Sequence, residues 1–266
     1  MTRTSSPAGS LRLVAAGAIG LIVFVGIWEA LVRALDVRPF VLRAPSKIVP
    51  EIADRPRFFL EQTLITGRNA LLGVLIALAA ALLIGAVLAT SRFLELATQP
   101  VLTLIQVTPW VAYISSVVLW LGRGTPSILF MVAFVSFPAF AFATVAGLRS
   151  ADPSARELLA SVEAARWEVL WRLRLPSALP SLFTAARFNV GLGLAAGYFT
   201  EGGSLSAEGL GWVGDRALAF NNGSLLWAAI LCTALLGVAG LALLTVLERV
   251  LLGWHVSQRP GWSRRA

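Results

Sequence analysis

Six apolar blocks, each about long enough to cross a bilayer, constrain this chain more than any other feature. They run roughly over 11–31, 64–90, 96–121, 126–148, 179–199 and 225–252. At 1.5 Å per residue, about 20 helical residues span a hydrocarbon core about 30 Å thick. Inside that core only helices and closed barrels satisfy their own backbone, and blocks of this length read as helix. The charged share is 14% and the mean hydropathy +0.78, whereas soluble domains carry about a quarter charged residues. The expectation is an all-α polytopic membrane protein with about six transmembrane helices.

Several chemistries are excluded by residue counts. The single cysteine, Cys232, rules out a disulfide framework within the chain. The single histidine, His255, lies near the C-terminus, away from any spanning block, which leaves no His-centred metal site or triad. The single lysine, Lys47, follows Pro45 and Ser46, so no G-x-x-x-x-G-K-[ST] phosphate loop exists. No catalytic residue and no bound cofactor are expected. The net charge of +8 would raise nucleic-acid binding in a soluble chain. Here the basic residues flank apolar blocks, and orientation in the membrane explains them better.

The chain divides accordingly. Residues 1–10 are small and polar and are expected to be a disordered tail. A peripheral span follows at 11–34, an external connection at 35–62, a transmembrane core at 63–254 and a tail at 255–266. Within the core, 149–178 is the one long connection on the side of the termini. Placing both termini in the cytoplasm puts Arg92, Arg149, Arg156, Arg166, Arg172, Arg174 and Arg249 inside, with Arg38, Arg43, Lys47, Arg55, Arg57 and Arg216 outside. The bias favours that orientation.

The connection at 149–178 is charged, yet Leu158, Val162, Ala165, Val169 and Leu173 recur at helical spacing. Asp152 and Pro153 suit a helix start, and Pro176 and Pro180 lead into the next span. One helix over 155–173 is expected. By itself such a segment could lie in the headgroup layer.

Its pattern resembles the EAA loop of ATP-binding-cassette importer permeases: E-A-A, three residues, Gly, nine residues, I-x-L-P. The tail is present as Leu173, Arg174, Leu175 and Pro176. Nineteen positions back from Pro176 stands Glu157, so the conspicuous Glu163-Ala164-Ala165 is a decoy. Leu158 and Leu159 replace the two alanines, and Glu163 occupies the glycine position, where a straighter helix or a different turn is expected. The resemblance is closest to the nitrate/sulfonate/taurine branch. It extends to Ala44–Val49, to the run from Leu119 to Gly124, to Ala146-Gly147-Leu148-Arg149, and to Glu201 with Gly209-Leu210-Gly211.

The resemblance implies a type I permease fold, with the solute delivered by an external binding protein and ATP and Mg used by a partner ATPase. It implies a second permease subunit, as a homodimer, in a bacterial inner membrane. Glu157, Leu158, Leu159, Val162 and Glu163, with Leu173, Leu175 and Pro176, would couple the chain to the ATPase. The rival reading is an ion-coupled secondary carrier or channel without an ATPase.

Thr108, Pro109, Trp110 and Tyr113 interrupt the third block. Pro109 removes a backbone donor and can kink the helix, and irregular backbone at that depth is tolerated where it lines a cavity. Ser136 and Asn189 are further pathway candidates, although packing explains all of these residues equally well. Arg187 is expected to snorkel to the surface or to meet an anion. Glu29 and Arg33 are expected to pair. Trp212, Asp215 and Phe220 could meet a binding protein outside.

Overall fold

A computed structural model describes residues 7–39, 41–204 and 206–253, with side chains from Ala15 onward. The tail at 255–266, with His255, lies outside the described residues, as do residues 1–6 of the expected disordered tail.

The described chain is helical throughout. Helix α1 (Pro7–Ala34) begins inside the expected tail. α2 (Pro45–Asp54) is short, and α3 (Pro56–Leu88) starts within the expected external connection. α4 (Arg92–Val107), a 3-10 turn (Trp110–Tyr113) and α5 (Ile114–Leu121) make up the third block. Then come α6 (Thr125–Arg149), α7 (Pro153–Ser161) and α8 (Arg166–Val169). A π turn (Leu170–Arg174) leads into α9 (Leu175–Gly203), and α10 (Leu210–Ala219) and α11 (Gly223–Leu251) close the chain.

Four helices are long and apolar enough to cross a membrane, and a fifth span results if the bent α4–α5 pair counts as one. The expected six is therefore reduced by one on this measure. α9 has the length, at 29 residues, but Arg187, Asn189 and five glycines dilute its apolar character. It compensates by packing centrally. α6 lies against both α3 and α9, and these three form the core. Small residues set the spacing: a Cβ on Gly73 would stand 2.5 Å from that of Val132, and one on Gly193 would stand 2.8 Å from Val74.

α1 is peripheral, with its apolar face largely exposed. Glu29 pairs with Arg33 at 2.6 Å and also accepts from Ser46 N (3.0 Å) and Ser46 Oγ (2.7 Å). The first span thereby ties itself to the start of α2. Arg187, still half-exposed, pairs with Glu248 near the end of α11. That choice is physically sensible, because a partner on a neighbouring helix offsets the cost of a charge at depth.

The third block bends by 87° at Thr108–Pro109. Pro109 supplies no N–H and disfavours helix at Thr108, which is extended at ψ 134. The expected interruption is thus a sharp break.

Candidate functional site

The bundle has two ends of opposite character. At one, which we term the loop end, α6 finishes, the 150–174 excursion leaves, and α9 begins. At the other, the knot end, α9 finishes against α10 and the start of α3.

The feet of the loop are clamped. A Cβ on Gly147 would stand 2.7 Å from Ala178 Cα, so α6 and α9 touch there. Ser150 Oγ bonds Gly147 O (2.8 Å) and Ser177 O (3.4 Å). Arg149, in the last turn of α6, pairs with Glu95 of α4, which also accepts from Arg92 at 2.8 Å.

Beyond these feet the chain stands free. α7 starts at Asp152, whose Oδ1 accepts from Ser154 N at 2.9 Å, with Pro153 behind it. Leu158 and Val162 lie four residues apart on one face and are 67% and 65% exposed. Glu157 and Glu163 are also exposed, while Leu159 is half-buried. Neither glutamate forms an ion pair among the described residues. No other element packs extensively on α7.

The single helix expected over 155–173 does not form. α7 ends at Ser161, and Glu163 adopts φ +53. Glu163 N bonds Ala160 O at 3.1 Å and Ala164 N bonds Leu159 O at 3.0 Å. That pair of bonds is the Schellman arrangement, with Glu163 in the left-handed position where glycine is the usual occupant. The turn survives the loss of the glycine. A straighter helix was the wrong expectation, because the capping bonds and the short α8 that follows outweigh a left-handed cost of about 1–2 kcal/mol.

The return path uses Leu173, Leu175 and Pro176, all half-buried. Pro176 can offer no N–H, and its ring crowds the carbonyl four residues back. The π turn absorbs this: Leu175 N bonds Leu170 O, five residues away. Trp167 and Trp171 stand edge to face at 5.1 Å beside Arg172, both exposed; the charge pattern of the loop drew the eye away from them.

The knot end is built around Glu201, which is 0% exposed. Its carboxylate accepts from Thr66 Oγ1 (2.7 Å), Asn69 Nδ2 (3.2 Å) and Gly211 N (3.1 Å). Gln62 Oε1 accepts from Gly209 N (2.6 Å), and Thr66 Oγ1 accepts from Leu210 N (2.8 Å). α3, α9 and the first turn of α10 therefore share one network. The amides at the start of α10 would otherwise be orphaned, and the carboxylate sits at the positive end of that helix. No cation pairs with Glu201 among the described residues.

Glycine is required in this knot. Gly209 holds φ +99, and a Cβ there would run into the Glu201 carboxyl. One on Gly211 would land on the Tyr198 carbonyl oxygen. Gln62, Thr66 and Asn69 went unnoticed in the sequence, although their i, i+4, i+7 spacing puts three polar groups on one stripe of an apolar span.

The pathway candidates separate into two groups. Trp110 packs edge-on against Phe199 (5.8 Å) and Tyr113 against Phe134 (5.7 Å), near the 87° bend. Thr108 Oγ1 donates to Leu104 O at 2.7 Å. Ser136 and Asn189 meet elsewhere, fully buried between α6 and α9, where Asn189 Nδ2 donates to Ser136 O at 3.4 Å.

A broken-span helical bundle carrying a free, capped loop helix defines a membrane permease subunit. Residues 73–252 match the family of binding-protein-dependent transport system inner membrane components. The chain belongs to that family and is the permease component of an ATP-binding-cassette importer in the inner membrane. In such transporters the ATPase is a separate chain, and a binding protein is the other partner.

The riboflavin transport permease RibX of Chloroflexus aurantiacus is 31% identical, over 97% of this chain and 98% of its own length. The formylaminopyrimidine transport permease ThiX of Halalkalibacterium halodurans is 30% identical over 87% of this chain and 92% of its own. The taurine permease TauC of Escherichia coli is 26% identical over 88% of each chain. A chain of the inward-facing MetNI methionine transporter superposes with a TM-score of 0.65 at 14% identity, over 74% of this chain and 98% of its own. That likeness establishes the fold.

Proposed function

We propose that α7 is the seat of the ATPase and that two copies of this chain enclose the translocation pathway. The observation that carries the reading is the free loop helix itself. Leu158 and Val162 are exposed on clamped feet with no cover among the described residues, and Glu163 turns the chain where the family motif places glycine. A groove on the ATPase would take Leu158 and Val162 as helix anchors. Glu157 and Glu163 would pair with its basic residues, and Leu159 would steady the helix from below. Leu173, Leu175 and Pro176 fix where the loop returns. Exposed Trp167, Trp171 and Arg172 suit the headgroup layer.

On this reading the loop end and both termini face the cytoplasm, and the knot end faces outward. The bend at Thr108–Pro109, with Trp110 and Tyr113, turns toward the partner permease and the solute. Ser136 and Asn189 fix the α6–α9 contact that must pivot. The solute is a small organic molecule, in keeping with the named cargoes of the relatives, and the external binding protein delivers it. Its docking surface includes α10, where Arg216 lies over Trp212 (5.1 Å) and Phe220 (5.6 Å), with Asp215 beside them.

The test is co-purification of the permease with its ATPase. Glu157→Arg combined with Leu158→Ala is expected to abolish the complex and uptake while the permease remains folded. Retained assembly and uptake would refute the coupling role.

A further inference from the structure

The Glu201 network holds more than a local turn. α10 carries Trp212, Arg216 and Phe220 on a half-exposed to exposed surface. Its other side is pressed onto α9: a Cβ on Gly202 would stand 3.2 Å from Gly211 O, and one on Gly214 would strike the Tyr198 hydroxyl. Gly211 N bonds Glu201 directly, and Leu210 N reaches Glu201 through Thr66. A displacement of α10 therefore cannot be absorbed by a loop. It must move the end of α9 and the stripe Gln62, Thr66 and Asn69 of α3.

α9 then carries that displacement the length of the molecule. From Arg166 of α8, through the π turn, to Gly203, the backbone is continuously helical. At 1.5 Å per residue this helical path is roughly 57 Å along its axis, with the π turn and Pro180 within it. Its far end is the returning limb of the loop that α7 opens. One helix thus joins the knot to the free loop, and at the knot α10 is bonded to that helix through buried side chains.

We propose that Glu201 is a positioning residue that passes docking on α10 along α9 to the ATPase-bound loop. This rests on the reading of α10 as the outer docking surface. A carboxylate suits the task because two oxygens can take Thr66 Oγ1, Asn69 Nδ2 and Gly211 N at once. Asn69 Oδ1 has no hydrogen-bond partner among the described residues. A glutamine at 201 would be accommodated by an amide flip of Asn69, which would present that oxygen to the new N–H₂. An alanine would leave a cavity and three unmet donors.

The experiment uses the assembled transporter in nanodiscs, with its external binding protein titrated in and ATP hydrolysis measured. For Glu201→Ala, the ratio of stimulated to unstimulated hydrolysis is expected to fall about fivefold or more, the lower end of ordinary coupling between sites. Glu201→Gln is expected to keep most of the stimulation. Thr66→Val, which preserves shape and removes two of the bonds, is expected to fall between them. A photo-cross-linker at Phe220 reports docking in parallel. Absence of any cross-link to the binding protein would defeat the reading of α10 as the docking surface. Cross-linking together with full stimulation of Glu201→Ala would defeat the inference alone. If neither Glu201→Ala nor Thr66→Val assembles, the knot is structural only and the inference falls.

Discussion

The two ends of this bundle treat their polar and glycine-like positions in opposite ways. At the knot end a glutamate is buried with no cation beside it among the described residues, and its carboxyl accepts from Thr66, Asn69 and Gly211. Glycine is obligatory there, because a Cβ at 209 or 211 would meet Glu201 or Tyr198. At the loop end two glutamates are exposed and unpaired among the described residues, and a position suited to glycine is filled by Glu163 at φ +53. One end turns its polar groups inward onto one another. The other leaves apolar and charged groups open to a second protein. The difference teaches that a positive φ is negotiable at Glu163, whose φ of +53 an L-residue can adopt at modest cost, but not at Gly209, whose φ +99 with ψ 161 is a glycine conformation and leaves no room for a Cβ.

The sharpest way to break this contrast is to insert a side chain at the closed end. Gly211→Leu would drive its Cβ into the Tyr198 carbonyl and separate α10 from α9. Overpacking a well-packed site costs about 1–3 kcal/mol, and this contact is backbone to backbone, which cannot yield by a rotamer change. Loss of folded, monodisperse protein on size-exclusion chromatography is the expected outcome. A well-folded variant would mean that the knot is looser than its hydrogen bonds imply.

At the open end the converse holds. Leu158→Ala alone should leave the thermal stability of the isolated permease within about 0.5 kcal/mol, as surface changes usually do. It should weaken ATPase binding by about 1.5–3 kcal/mol, the value of burying a leucine, or roughly 10- to 150-fold. Calorimetric stability and ATPase affinity measured on the same preparation check both halves. A stability loss with unchanged affinity would mean that Leu158 is covered by its own chain.

Thr66→Val returns to the closed end with a smaller effect. It removes the donor to Glu201 and the acceptor for Leu210 N while preserving shape. Two hydrogen bonds predict a loss of about 1–3 kcal/mol. Thermal unfolding in detergent should show a lowered midpoint. An unchanged midpoint would mean that the three elements are held by apolar contacts around Leu210 rather than by the knot.

The same asymmetry governs what could be read from sequence. Apolar length exposed the spanning blocks, and Pro109 marked the break, because both are local properties. α9 was legible as a block but not as the centre of the bundle, since burial among α3 and α6 is a tertiary fact. The loop was found by counting back from Pro176 to Glu157. Its division into α7, α8 and a π turn was hidden, because the Schellman bonds that close α7 involve only backbone atoms. Glu201 and Gly209-Leu210-Gly211 were visible as letters. Their partners Gln62, Thr66 and Asn69 lie about 140 positions away along the chain, and only folding places them together. The partner of Arg187 was hidden for the same reason: Glu248 is on another span.

The smallest expected effect addresses Glu163 itself. Its left-handed backbone costs an L-residue other than glycine about 1–2 kcal/mol, while glycine there would give back part of that gain through unfolded-state entropy. Glu163→Gly should therefore stabilise the loop by about 0.5–1 kcal/mol and leave the Schellman turn in place. A β-branched substitute should do the reverse: Glu163→Val keeps the strain, crowds the turn and adds no compensating bond. If Glu163 is only a tolerated replacement, uptake by the glycine variant will equal that of the parent, and the valine variant will lose ATPase affinity through a misplaced α7. If its carboxylate also grips the ATPase, the glycine variant will show a tighter loop and yet weaker binding. Hydrogen exchange of the amides of Glu163 and Ala164, read beside ATPase affinity, separates the two, because protection follows the backbone and affinity follows the side chain.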